Sequence, residues 1–156
     1  MLNVLLDTSF CIRLLKKDDP LHQNAIEYFE YFLEQKTELF ISTIAIAEYS
    51  VKDDPANLPL KMMKVIPFDF FDGKTAGEFH SILIEHKNNF ENVDRNVVKD
   101  DCKLIAQLYN RKIQGYITKD RKSFSQIIKP ITESNGFSIE LIDFSIPLKQ
   151  FKGELF

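Results

Sequence analysis

The chain has 156 residues, enough for one domain with a sizeable core, and 44% of them are hydrophobic, including 14 Phe, which excludes a disordered or low-complexity protein. A formal charge of −3 excludes general electrostatic attraction to nucleic acid, although local bases can still hold phosphate beside an acidic site. The longest nearly apolar stretch, Leu39 to Ala47, falls far short of the roughly 20 residues that cross a bilayer, so no membrane span is expected.

Leu2 to Leu6 reads as a first strand running into Asp7, with no basic start and no small-residue cleavage site. It does not resemble a secretory signal, and cytoplasmic residence is expected. A short helix over Ser9 to Lys16 and a longer one from about Pro20 to Gln35 follow; in the second, Leu21, Ala25, Ile26, Phe29, Phe32 and Leu33 form one apolar stripe. Glu38 to Ile41 reads as a buried strand, with Ser42 or Thr43 capping a helix through Glu48 to about Val51. Lys64 to Phe68 is a third strand, Asp72-Gly73 a turn, and Thr75 to His86 a helix. Lys87 to Lys99 reads as a surface loop, and a helix from Asp100 to Lys112 has one of Asp100 and Asp101 as its N-cap. Gly115 to Thr118 is the fourth strand, Arg121 to Lys129 a short helix, and Ile139 to Ile142 the last strand. Residues 145–156 form a tail without an assigned role. Strands separated by helices predict a single α/β domain over 1–156, a three-layer α/β/α sandwich with a mainly parallel sheet, because right-handed crossovers cover both sheet faces.

The chemistry is carried by acids at the strand ends. Asp7 closes the first strand and Asp120 the fourth; Glu48 follows the apolar run Ile44 to Ala47, and Asp101 precedes Leu104-Ile105-Ala106. Taken singly, each has a structural explanation: Asp7 a helix cap, Glu48 a surface glutamate, Asp101 a favourable first-turn charge. Together they fall at the carboxyl edge of a parallel sheet, where dispersed carboxylates can converge on a divalent cation and support phosphate ester hydrolysis. Asp100 is the rival of Asp101 at the third position. Cys11 and Cys102 lack partners at zinc-ligand spacing and are expected to be reduced structural thiols. His22, His80 and His86 are expected on helix surfaces without a catalytic role.

Asp7-Thr8-Ser9, Glu48 in an apolar helix, Asp101 before Leu104-Ile105-Ala106, and Ile117-Thr118-Lys119-Asp120 with Phe124 together resemble the motifs of the PIN-domain ribonucleases. In length and spacing the chain is most similar to their small bacterial toxin branch, the VapC-like proteins, over about Leu2 to Leu141. The resemblance implies a PIN-like fold and a Mg²⁺- or Mn²⁺-dependent endoribonuclease. Asp7, Glu48, Asp101 and Asp120 correspond to the acidic quartet of catalysis and metal binding, with Thr8, Ser9 and Thr118 as polar supports. It also implies a cognate antitoxin that occludes the acidic edge, and a homodimer. Two positions depart from the pattern: the Asp100-Asp101 doublet, and Lys122, where many relatives carry an acid.

Lys16, Lys17, Lys119, Arg121 and Lys122 flank the strand ends and are the candidate RNA phosphate contacts. Phe68, Phe70, Phe71 and Phe124 could stack on bases, but a core position is expected for most of them. Gly73-Lys74-Thr75 lacks the first glycine of a phosphate-binding loop, and no Gly-x-Gly-x-x-Gly run follows a strand, which disfavours nucleotide cofactors. Two alternatives are a noncatalytic PIN-like module using its Phe-rich second helix as an interface, and a haloacid-dehalogenase-like phosphohydrolase. The latter needs a second Asp where Ser9 stands.

Overall fold

The computed structural model describes residues 1–86 and 95–154. Strands β1 (Asn3–Leu6), β2 (Glu38–Ser42), β3 (Lys64–Ile66), β4 (Gly115–Thr118) and β5 (Glu140–Asp143) form a parallel sheet in the order β3-β2-β1-β4-β5. Helices α1 (Thr8–Leu15), α2 (His22–Glu34), α3 (Thr43–Tyr49), α4 (Phe70–Glu85), α5 (Arg95–Asn110), α6 (Arg121–Asn135) and α7 (Leu148–Glu154) connect and follow the strands. The period-2 geometry of a strand decides which layer each residue joins. Val4, Leu6, Leu39, Ile41, Ile117 and Ile142 pack beneath α1 and α2, whereas Leu5, Ile66 and Tyr116 pack against α4, α5 and α6. Two cores on opposite sheet faces give the expected three-layer α/β/α sandwich.

From the central β1 the chain steps to β2 and β3 on one side, then crosses to β4 and β5 on the other. The reversal opens a crevice between the carboxyl ends of β1 and β4, the usual ligand position in such sheets. Leu6 pairs with Ile117 in register, and the Asp7 N–H donates to the Ile117 carbonyl at 3.1 Å. Asp7 is thereby tied to the end of β4.

Several local expectations are corrected. Asp72-Gly73 is not a turn but part of the first turn of α4, because Asp69 and Asp72 form a reciprocal capping box with bonds of 2.9 and 3.0 Å. Helix α5 begins at Arg95, so neither Asp100 nor Asp101 is its N-cap. Val98, Cys102 and Ile105 are all buried and continue one apolar face upstream of the acids. Of the loop expected over Lys87 to Lys99, residues 87–94 lie outside the described residues and 95–99 are helical. Helix α6 passes Lys129 and Pro130 to Asn135, since Ile127, Ile128, Pro130 and Ile131 are buried against the sheet layer. It stops at Gly136, whose left-handed φ of 66° lets its N–H reach the Thr132 carbonyl at 2.8 Å. Ser42 rather than Thr43 caps α3, accepting from the Ile44 N–H at 3.1 Å.

The previously unassigned tail carries α7, which lies on α2: Phe151 meets Tyr28 at 5.5 Å between ring centroids, and Lys152 sits 4.6 Å over Tyr31. With Tyr28, Phe29 and Phe32 buried, the apolar face of α2 is largely covered and offers little surface to a partner. Phe70 and Phe71, expected in the core with most of the aromatics, are exposed and stack edge to face at the start of α4, while Phe124 is buried. Cys11 and Cys102 are free and buried, and none of the described helices is long and apolar enough to cross a membrane.

One buried charge locks α4 to α5. Burial alone would raise the Asp72 pKa, but hydrogen bonds from Arg111 (2.6 Å), the Asp69 N–H and Asn110 (3.0 Å) outweigh it and hold the group at about 2. Its folded pKa lies below the unfolded value, so the contribution to stability is complete above about pH 4 and disappears as pH falls through 2. Arg111→Met should therefore cost about 3 kcal/mol in urea unfolding at pH 7, with the deficit shrinking below pH 4.

Candidate active site

A cleft of about 420 Å³ opens at the crevice between β1 and β4, and Asp7, Glu48, Asp100, Asp101 and Asp120 all line it. They arrive from four places: the end of β1, α3, α5 and the β4–α6 junction. The structure thus brings together all four acids singled out from the sequence, and the rival Asp100 with them.

Asp7 occupies the N-cap position of α1, yet its carboxylate makes no capping bond. Instead Oδ2 accepts from Ser9 Oγ at 2.6 Å and from Thr118 Oγ1 at 2.8 Å. Each hydroxyl spends its proton on Asp7 and accepts a backbone N–H in return, Ser9 from Lys119 at 3.3 Å and Thr118 from Asp120 at 3.1 Å. This network fastens the loop carrying Asp120 to the end of β1. The three hydroxyl residues Thr8, Ser9 and Thr118 are all buried and line the cleft.

Burial and crowding of negative charge raise the pKa of Asp101 and of Glu48. Burial, then the charges of Asp7, Asp100, Glu48 and Asp120, push the Asp101 carboxyl up to about 8. Glu48 is also raised, by burial of its carboxyl and by Asp7 and Asp100, although the residue as a whole is exposed. The Thr8 hydroxyl opposes this shift, but Oγ1 is buried without a fully formed hydrogen bond. In the doublet, Asp101 is the more enclosed; Asp100 is half-exposed and pairs with Lys103 along the helix at 3.5 Å.

As the side chains stand, no three Asp, Glu, His or Cys residues among the described ones gather tightly enough to hold one ion. The donor set nevertheless suits a hard dication: carboxylates from four elements share one cleft, the buried Thr8 hydroxyl lies beside Glu48, and burial together with neighbouring negative charge pushes Asp101 up to about 8.

Lys16, Lys17, Lys119, Arg121 and Lys122 are exposed, and none of them lines the cleft; Arg121 borders a separate groove with Asp143 and Phe151. Ile12, Arg13, Val97, Tyr116 and Ser123 also line the cleft and were not singled out from the sequence; two of them bear on its chemistry. Arg13 lies four residues after Ser9 and so on the same face of α1, and Tyr116 lies two residues before Thr118 on the same face of β4. Burial, followed by the nearby charges of Asp7 and Asp101, holds the Tyr116 phenol well above its ordinary pKa, so it stays protonated below the acids.

No protein-family model matches this sequence, and no curated protein does. Among solved structures, a chain of the DNA-bound VapBC complex from Salmonella typhimurium aligns over 92% of this chain and 99% of its own length, with a TM-score of 0.60 and 18% identity. VapBC2 from Rickettsia felis, bound to a promoter DNA fragment, aligns over 90% and 97% with a TM-score of 0.63 and 17% identity. VapC20 from Mycobacterium tuberculosis, a toxin that cleaves the sarcin-ricin loop, aligns over 72% and 86% with a TM-score of 0.51 and 16% identity. At these identities the likeness establishes the fold. It is the PIN-like α/β/α fold, in the form found in VapC toxins.

Because the Asp101 pKa is raised on folding, ionising it opposes the folded state, and the penalty grows from about pH 4 to about pH 8. Asp101→Asn should stabilise the metal-free protein on the order of 2 kcal/mol at pH 8 and hardly at all at pH 4, measured by thermal or urea unfolding with chelator present. Equal effects at both pH values would contradict the proposed crowding.

Proposed function

We propose that this protein is a metal-dependent endoribonuclease, the toxin of a toxin–antitoxin pair, acting in the cytoplasm. The single observation that carries the reading is the convergence of Asp7, Glu48, Asp101 and Asp120 on one cleft at the sheet's switch point. The fold likeness to VapC chains, one of them an RNA-cleaving toxin, supports it.

In this reading Asp7, Glu48, Asp101 and Asp120 hold Mg²⁺ or Mn²⁺, with Asp100 as the alternative to Asp101. The ion supplies Lewis acidity toward a phosphoryl oxygen and toward the attacking water. The chain's own residues set the stage. Ser9 and Thr118 fix the orientation of Asp7 through its Oδ2, and the Thr118 hydroxyl fixes the Asp120 backbone. Tyr116 and Phe124, stacked with centroids 4.3 Å apart, give the cleft a rigid apolar floor. Hydrolysis by water leaves a 3′-hydroxyl and a 5′-phosphate. Lys16, Lys17, Lys119, Arg121 and Lys122 take distal phosphates of the RNA, beyond the cleft itself.

Two of the aligned structures are VapBC complexes, and a cognate antitoxin is proposed here that covers the acidic edge with a basic side chain. A homodimer is the proposed assembly of the toxin. The haloacid-dehalogenase alternative is disfavoured by Ser9, whose hydroxyl is committed to Asp7 where that chemistry requires a second carboxylate.

Purified protein should cleave RNA with Mn²⁺ or Mg²⁺, and chelator or Asp7→Asn should each lower the rate at least about 100-fold, with cleaved ends accepting ligation as 5′-phosphates. Cleavage indifferent to both treatments would reject the proposal.

A further inference from the structure

We propose that Arg13 grips a phosphodiester of the RNA next to the bond that is cut, and so is a substrate-binding residue of this chain; this rests on the ribonuclease reading above. Five of the residues lining the acidic cleft are carboxylates, and Arg13 is the sole cation among the described residues that line it. A polyanion entering such a cleft meets repulsion from every side but one. The five lysines and arginines that flank the strand ends lie outside the lining and cannot offset that repulsion at the reacting phosphate.

The guanidinium is held ready. Its Nη1 donates to the Ser9 carbonyl at 3.2 Å, and Nε lies 3.3 Å from Asp19 Oδ2 without a well-formed hydrogen bond. Asp19 is fixed in turn by the Leu21 N–H at 2.9 Å, and the Arg13 carbonyl meets the His22 ring nitrogen at 2.7 Å. Only 18% of the Arg13 side chain is exposed, so little rotamer freedom remains to be lost on binding. The other N–H groups of the fork have no protein partner among the described residues, and a planar fork with free donors matches two phosphate oxygens. The Ser9 contact also ties Arg13 to the network that orients Asp7, which sets the phosphate grip in register with the acids.

A purely structural role for Arg13, as the partner of Asp19 in joining α1 to the start of α2, makes different predictions. Cleavage of a short single-stranded RNA with Mn²⁺ should be measured for wild type, Arg13→Gln, Arg13→Lys and Asp19→Asn across a range of salt, beside their melting temperatures. The proposal expects Arg13→Gln to lose about tenfold in kcat/KM, mostly through KM, and to flatten the log–log salt dependence by about one phosphate contact. Arg13→Lys should keep the salt dependence and lose about threefold, because it keeps the charge without the fork. Asp19→Asn should melt lower but retain the wild-type salt dependence. Should Arg13→Gln fail to fold, the lysine variant still decides, since unchanged kcat/KM there overturns the proposal. Equal losses in Arg13→Gln and Asp19→Asn with the same salt dependence also overturn it, as does wild-type kinetics for Arg13→Gln. If wild type itself cleaves no RNA with Mn²⁺, the ribonuclease reading falls and this proposal with it; if wild type cleaves and Arg13→Gln cleaves equally, only this one does.

Discussion

Mutual repulsion of carboxylates at the carboxyl edge of a parallel sheet is the constraint around which this molecule is arranged. Five acids converge at the carboxyl ends of β1 and β4, and Asp101, the most enclosed of them, has the least water to screen its charge. The chain answers in part with hydroxyls: Ser9 and Thr118 both donate to Asp7 and anchor the following loop through their own acceptor capacity. It answers in part with a proton, since Asp101 is pushed up to about 8. A dication drawing the carboxylates together would meet the same need, so crowding and the proposed chemistry are two aspects of one arrangement.

The fold makes that crowding tolerable by stiffening everything beneath it. The central strands β1 and β4 are buried on both faces, with Val4 and Leu6 of β1 serving one core and Leu5 the other. Helix α5 illustrates the economy of the layout. Its buried face, through Val98, Cys102 and Ile105, binds the helix to the sheet layer and thereby carries Asp100 and Asp101 to the cleft rim. Its far end is fastened separately by Arg111 and Asn110 to the buried Asp72 of α4. An acid in a flexible segment would turn away from its neighbours, whereas one on a helix clamped at both ends cannot.

Positive charge is distributed in a way the overall balance of −3 does not convey. Most of the lysines and arginines near the strand ends are exposed, where solvent and salt weaken their pull on phosphate. Among the described residues, Arg13 is the one cation that lines the cleft with the acids, held by Asp19 and the Ser9 carbonyl. In the proposed role, one fixed cation inside an acidic cleft has more influence on a phosphate there than several exposed ones outside, because less solvent screens its charge and its ordering has been completed on folding.

The sequence by itself determined the α/β alternation, the parallel three-layer class and the acids Asp7, Glu48, Asp101 and Asp120, because strand ends and apolar periodicity are local properties of the chain. It also carried Ser9 and Thr118 as polar neighbours, though not the shared bond to Asp7, which joins residues more than a hundred positions apart. Tertiary packing decided the rest. The start of α5 at Arg95, the passage of α6 through Pro130 and the docking of α7 on α2 follow from surfaces buried against distant elements, which override local signals such as a proline or an acidic doublet. Arg13 and Tyr116 joined the site for the same reason: each carries an ordinary local pattern, and only the parallel pairing of β1 with β4 brings their faces to one cleft.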